Sequence, residues 1–552
     1  MFTQLLDPLG NLFATWLVAL IPVVALLVML AWLRLSAWLA TLIGSIITFV
    51  LAVWVWKMPV DLGLTNYAAG SLTGIQNVDW ITFWGVVLFN TLVTTGVFEK
   101  FRRWLIAQGT ADVRVQTMLF AWAFGALLEG LVGFGYPWAF VAPILISLGI
   151  PDLDAIRVAA IANNAPVSYG ALGSPIIALA TVTAATLGVA QPDLLLLFSA
   201  SVGKIVAILA LLPPWILLYL VAGWDGVKGG WPLAVVGSLG YIAGQLPVAI
   251  YLGPYLPDVV GAIVCFAALL LLLQLWRPAA VMGYGGKPVA AGALAKDTEE
   301  HGLGAGEILW AWMPFIILVV VVVLWTGPFE WAKALASATR YLVATATSAA
   351  GAKISVGFDL RPGAPGTAIL VAWAVVAGLL LARGELKAAQ IGAIFAKTFA
   401  QMWGALLVGV FIFGLAYVYN YSGMAASLAL AFSKLGVWFI IVAPILGWIG
   451  VALSGSNTST NAMFGVFQTL VGKTLGFPLL LLPTLNSVGA EIGKPVAPQT
   501  ASVGVSTSRF VRNEGAVIRH NMGWTFALLG YLIVIGVACY LFFPGIAALA
   551  AG

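Results

Sequence analysis

The stretch FGALLEGLVGFGYP, residues 124–137, decides how this chain is read. It places one carboxylate, Glu129, in a glycine-rich apolar run, with no other charged residue between Arg114 and Asp152. Its surroundings say what solvent it sits in. Of 552 residues, 62% are hydrophobic and 8% charged, where an average soluble domain has about a quarter charged. Mean hydropathy is +1.06. Apolar runs of roughly 20 residues, long enough to cross about 30 Å of hydrocarbon, recur along the whole length. Crossings are predicted near 11–33, 36–56, 81–98, 199–222, 232–252, 257–276, 308–326, 366–382, 398–420 and 522–543.

No basic region precedes the first apolar run, whose first positive side chain is Arg34, so that run is expected to remain as a helix rather than act as a cleaved signal. Cys265 and Cys539 fall inside apolar crossings, which favours packing over a disulfide or thiolate metal site. His301 and His520 lie in polar segments with no cysteine near either, so no metal and no cofactor are expected. No phosphate-cradling loop, nucleophile elbow or basic aromatic strip for nucleic acid is present. An integral-membrane enzyme therefore finds no support, and the lipid bilayer is the expected surrounding partner. The sequence carries no signal for an oligomeric state.

Lys and Arg collect at Arg34, at Lys100–Arg114, at Arg277, Lys287 and Lys296, at Arg383, Lys387 and Lys397, and at Arg509, Arg512 and Arg519. Positive loops tend to stay cytoplasmic, so both termini are predicted outside, in a bacterial cytoplasmic (inner) membrane. The Gly/Ala/Ser/Thr/Pro-rich stretch 327–365 then becomes a long outer loop, although it carries Lys333, Arg340, Lys353 and Arg361.

With that orientation, 118–149 must enter and return on one side as a re-entrant hairpin. Segment 155–190 then crosses outward, broken by NNAPVSYGALGSP at 163–175, where Asn, Pro and Gly are poor in a continuous helix. The C-terminal half repeats the pattern from the other side, with a hairpin at 437–476 and a crossing at 478–505 broken by NSVGAEIGKPVAPQ, 486–499. Amphipathic stretches precede both hairpins, at 98–108 and 422–435. The expectation is an all-α polytopic protein of about 12 crossings and two hairpins in an inverted-topology repeat. Its parts are N-terminal scaffold helices 1–79, repeat 1 at 80–222, connecting helices and loops 223–397, and repeat 2 at 398–552. Irregular backbone at membrane depth is tolerated only where protein or a wet cavity satisfies it, so four such elements point to one cavity. Unpaired N–H groups at helix breaks suit an anion.

LLEGLVGFGYPWA, NNAPVSYGALGSPI, YNYSGMAASLALAF, GWIGVALSGSNTSTNAMFG and GKPVAPQTASV, in that order across nearly the full length, resemble the L-lactate permease family, which includes glycolate permeases. The resemblance implies import of short 2-hydroxymonocarboxylates, L-lactate, D-lactate or glycolate, with protons, by a carrier of paired hairpins. It also implies a glutamate at the position of Glu129 and a lysine at that of Lys494. The chain departs from the family's G-S-D-T-S at Asn457, and carries Glu491 where the family has a non-acidic residue.

Glu129 and Glu491 are thus the proton-coupling candidates, because a carboxylate at membrane depth costs about 2.5–3.5 kcal/mol and is functional by default. For Glu129 the alternative is a brace for the hairpin tip. Glu491 and Lys494, three apart, have the alternative of pairing with each other on one helical turn. Lys494 is the candidate for the substrate carboxylate. Ser456, Asn457, Thr458 and Ser459 offer hydroxyls and amides to a 2-hydroxy acid, or oxygens to sodium, against a background role in helix packing. Asn163, Asn164, Ser168, Gly133, Gly135 and Gln499 complete the candidate substrate-binding set. Sodium coupling and a passive channel remain the alternatives within transport.

Overall fold

The computed structural model describes residues 2–107, 110, 112–133, 135–147, 149–288, 304–327, 329–335, 337–348, 351, 353–506 and 513–549. Lys296, His301, Arg509 and Arg512 lie outside the described residues. Ten helices there are long and apolar enough to cross a membrane, up to eleven if a pair bent by 78° counts as one span.

The chain begins with a short strand β1 (Phe2–Thr3), then α1 (Leu12–Leu27), prolonged by a π turn at Val28–Trp32, and α2 (Ala37–Trp54). Next comes an element missed in the sequence. α3 (Val60–Gly74) runs through a π turn at Ile75–Asp79 into α4 (Trp80–Thr94), so the pass predicted at 81–98 starts far earlier. The small residues of α3 explain both facts: they lower its hydropathy, yet Gly70 and Gly74 let it lie directly on the backbone of Phe413 and Gly409. α5 (Val97–Ala107) is the amphipathic segment that follows.

α6 (Val113–Gln116), a π stretch (Thr117–Phe124) and α7 (Gly125–Leu131) form the first arm of the first hairpin, and α8 (Tyr136–Ser147) the second. α9 (Asp152–Ala162) and α10 (Gly170–Leu187) are the broken crossing. Ala171, Leu172 and Gly173 have left-handed φ of 46°, 56° and 81°, so the true helix resumes at Ser174. The break is wedged: a methyl at Gly173 would overlap the carbonyl of Pro254.

α11 (Gln191–Leu209) and α12 (Pro213–Tyr251) correct the crossing expected at 199–222, because a turn at 210–212 ahead of Pro213 and Pro214 divides it. Although unbroken by hydrogen-bond pattern, α12 is two legs that reverse at Gly223 (φ 63°, ψ −161°). A Cβ built at Gly230 would sit 3.4 Å from Leu218 Cδ1. On a straight helix those residues would be about 18 Å apart. α13 (Pro257–Leu275) packs along the second leg, and α14 (Ala305–Thr326) follows.

The described residues of the stretch 327–365 are folded. It contains α15 (Glu330–Leu335) and the strands β2 (Thr339–Thr347) and β3 (Lys353–Leu360), antiparallel to each other, with β1 added parallel to β2. The β-branched residues of TRYLVATAT and KISVGFDL carry that signal.

After α16 (Pro365–Ala382), the long α17 (Ala388–Ser422) ends at Gly423 (φ 104°) and turns into the short apolar α18 (Met424–Phe432). α19 (Phe439–Ser454) and α20 (Asn457–Leu475) make the second hairpin. α21 (Leu481–Gly493), a 3-10 turn at Lys494–Val496 and α22 (Pro498–Ser506) make the second broken crossing, and α23 (Glu514–Phe542) the last pass. Crossing, short helix, hairpin, broken crossing and crossing thus occur in the same order twice.

Contacts sort the helix ends into two faces. Lys100 to Glu385 (3.6 Å), Arg114 to the Ala280 carbonyl (2.8 Å), and Tyr284 (2.7 Å) and His520 (2.9 Å) to Asp154 tie the basic stretches together on one. The sheet, Gln4 donating to the Asn420 carbonyl (3.0 Å) and Leu480 N–H donating to the Ala547 carbonyl (3.1 Å) gather the first and last described segments on the other.

Candidate functional site

The four irregular elements meet. A cavity of about 420 Å³ runs from Ser36–Trp38, beside Arg34, to a floor made by the tip of the second hairpin and the two breaks. Glu129, Gly133, Ser456, Asn457, Thr458, Ser459, Lys494 and Gln499 line it; Asn163, Asn164, Ser168, Gly135 and Glu491 stand behind its wall.

Glu129, in the last turn of α7, is 1% exposed. Its Oε1 lies 2.5 Å from Lys494 Nζ, and its Oε2 accepts from Asn163 Nδ2 at 3.1 Å. Gly170 makes room for the carboxylate, since any methyl there would overlap it. The pair therefore joins a hairpin of the first half to the break of the second. This corrects the local alternative in which Glu491 neutralises Lys494: the ammonium reaches across to Glu129 instead. Glu491 accepts instead from Ser168 of the other break, and its second oxygen has no partner.

The hairpin tip is built from Ser456, whose hydroxyl caps α20 by accepting from the Ser459 N–H at 3.2 Å. Gly455 (φ 72°) allows the reversal, and the Gln499 amide lies against it. Thr458 Oγ1 meets Ser174 Oγ at 3.1 Å, and Asn461 Nδ2 donates to the Pro175 carbonyl at 3.0 Å, so tip and opposite break are tied. Asn457 Nδ2 donates to the Ser487 carbonyl at 3.1 Å, leaving its Oδ1 free. Asn164 is fully buried with neither end of its amide partnered. Gly133 (φ 66°) packs against Ala171, whereas Gly135 (φ 80°) faces Thr500 and Val503, so its role there is packing space.

Two acids escaped the sequence reading. Asp79, at the end of the π turn, lines the cavity, is 7% exposed and has one oxygen without a partner. Asp258 accepts from Tyr241 Oη at 2.8 Å and packs under Gly130 of the hairpin, again with one oxygen free. Each is a lone carboxylate at the edge of an apolar run, whereas Glu129 lies inside one.

Chemically, the cavity ends in one buried ammonium bonded to one carboxylate, ringed by hydroxyls and amides. That set can exchange its internal carboxylate for an external one and hydrogen-bond an adjacent hydroxyl.

Residues 15–544 match the family described as L-lactate permease. The glycolate permease GlcA of Escherichia coli (strain K12) is 35% identical over 94% of this chain and 95% of its own length. An L-lactate permease of Bacillus subtilis (strain 168) is 30% identical, covering 97% of both chains. Among solved structures, the YdaH transporter of Alcanivorax borkumensis, described as having an unusual topology, aligns over 86% of this chain and 88% of its own with 14% identity and a TM-score of 0.45.

Proposed function

The chain belongs to the L-lactate permease family, and on that premise we propose that it imports a short 2-hydroxymonocarboxylate, L-lactate, D-lactate or glycolate, by proton symport and alternating access. The observation that carries the reading is the buried Lys494–Glu129 pair at the floor of the cavity. A substrate carboxylate that binds Lys494 displaces Glu129 from its counter-ion. Two carboxylates beside one ammonium in low dielectric repel each other, so Glu129 takes a proton as the substrate arrives. Substrate and proton then travel together. Thr458, Ser456 and Asn457, which line the cavity, bond the 2-hydroxyl in this reading. Glu491, held by Ser168, is a second proton site behind the pair, and Asn163 steers the Glu129 carboxyl.

Alternating access is supported by where the cavity ends. It reaches toward the face carrying Arg34, and is closed toward the terminal face by Asn77, whose amide donates to Thr181 at 3.2 Å, and by Phe413. With positive loops cytoplasmic, this is an inward-facing arrangement in a bacterial inner membrane, and the matching hairpin and break of each half, 80–222 and 398–552, exchange roles to open the other side.

The test is uptake of radiolabelled lactate and glycolate into proteoliposomes, with inward pH and sodium gradients imposed separately. Accumulation on the pH gradient alone is expected. Accumulation that needs sodium would move coupling to the Ser456–Asn461 tip, whose hydroxyls and amides bridge the halves; downhill flux alone would mean a channel, and chemical conversion of substrate an enzyme.

A further inference from the structure

We propose that the terminal face holds a second anion site, a vestibule in which Arg361 and Arg340 take a small carboxylate before it reaches the central cavity. A separate cavity of about 310 Å³ lies under β3, and the two arginines with Asp359 are its charged groups among the described residues. Asn77, Thr181 and Tyr417 form its inner wall.

Three helical segments line both cavities, at positions two, four and seven residues apart. Asn77 faces the vestibule and Asp79 the central cavity; Tyr417 and Phe413 do the same on α17, and Thr181 and Ser174 on α10. The two spaces are therefore parts of one path, parted by a layer of one to two helical turns.

The guanidinium groups have donors to spare. Arg361 is 15% exposed and donates through Nη1 to Gln191, while its Nε is buried without a partner. Asp359 lies 3.8 Å from Arg361 Nη2 and 3.6 Å from Arg340 Nε, both beyond hydrogen-bond length. Arg340 otherwise gives one Nη2 bond to the Ser355 carbonyl at 3.2 Å. Two cations against one loosely held carboxylate leave net positive charge, and a guanidinium fork matches a carboxylate in shape. The hairpin also keeps its place firmly: Gln76 donates to the Asp359 carbonyl (2.9 Å) and accepts from the Arg361 N–H (2.8 Å), fixing the arginine over the π turn. The site itself stands on this geometry, and rests on the permease reading only for the identity of the anion.

The experiment compares initial influx and efflux of labelled lactate or glycolate in right-side-out membrane vesicles, at low and high ionic strength, for the full chain and for Arg361→Gln, Arg361→Lys and Arg340→Gln. Arg361→Gln is expected to raise the ratio of influx KM to efflux KM about 3–10-fold, the size of one partly screened charged hydrogen bond. It should also flatten the salt dependence of influx, and Arg361→Lys should recover part of both. Arg340→Gln, at a more exposed position, should act in the same direction should Arg361→Gln fail to fold. An unchanged ratio in the variants, or KM raised equally from both sides, overturns the proposal. If the unaltered chain moves neither acid, the substrate reading has failed on its own. Equilibrium binding of radiolabelled acetate to purified protein then decides: binding lost in the arginine variants supports the vestibule, and binding insensitive to them refutes it.

Discussion

Replacing Lys494 by methionine separates its two assigned roles. The ammonium lies 2.5 Å from Glu129, and the two side chains are 7% and 2% exposed. At an effective dielectric of about 20, unit charges at that distance attract by roughly 6–7 kcal/mol, part of which offsets their desolvation. Removing one partner leaves a buried carboxylate alone, a loss of about 3–5 kcal/mol. Lys494→Met should therefore be destabilised by that amount in thermal or denaturant unfolding in detergent. Adding Glu129→Gln should return most of it, since glutamine still accepts from Asn163 and carries no charge. Substrate binding should behave differently. The charged bond from Lys494 to the substrate is worth about 1.5–3 kcal/mol, or roughly 10–150-fold in Kd, and neither variant can make it. Equal instability of the single and double variants would refute the buried pair. A double variant that regains normal affinity would show that the lysine serves only as counter-ion to Glu129.

Glu129→Gln should abolish accumulation driven by a pH gradient while leaving counterflow exchange of labelled substrate partly intact; normal accumulation would remove Glu129 from the coupling step. Gly223→Ala should cost about 1–3 kcal/mol of stability, read by unfolding, because φ 63° and ψ −161° form a region open to glycine alone while no neighbour crowds the added methyl. Asp154 gives a pH prediction. Burial would raise its carboxyl, but hydrogen bonds from Tyr284 and His520 and the charges of Arg157 and His520 hold it below the ordinary aspartate range. Its stabilising effect is thus present above the unfolded value of about 3.9 and lost as pH falls through the lower folded value. Asp154→Asn should be less stable than the unaltered chain near neutral pH, with the gap closing below about pH 4; a constant gap would refute the linkage.

The hairpins, the breaks and the meeting of the two halves were legible because glycine, proline and lone charges stand out against an apolar background. Glu129 and Lys494 were each identified from the sequence, yet that they pair was not, since they are 365 positions apart and the competing partner of Lys494, Glu491, is three away. Only the folded chain, which brings the first hairpin against the second break, decides between them. α3 escaped for the opposite reason: glycine, alanine and serine pack it tightly but add little hydropathy. The reversal at Gly223 was implicit in the two separate apolar runs, while the sheet at 339–360 was hidden by reading composition in place of alternation. Asp79 and Asp258 were passed over because they border runs that an isolated carboxylate does not interrupt.

The π turn at Ile75–Asp79 has a consequence for how such a chain can change by insertion and deletion. A π turn accommodates one residue more than an α turn, so Asn77 and Asp79 face the two cavities only while that extra residue is kept. Losing a single codon there would let the helix close into an α turn, re-aiming the side chains within the turn while α3 and α4 keep their relative facing. In this segment, the length of the gene constrains the site as strictly as the identity of its residues.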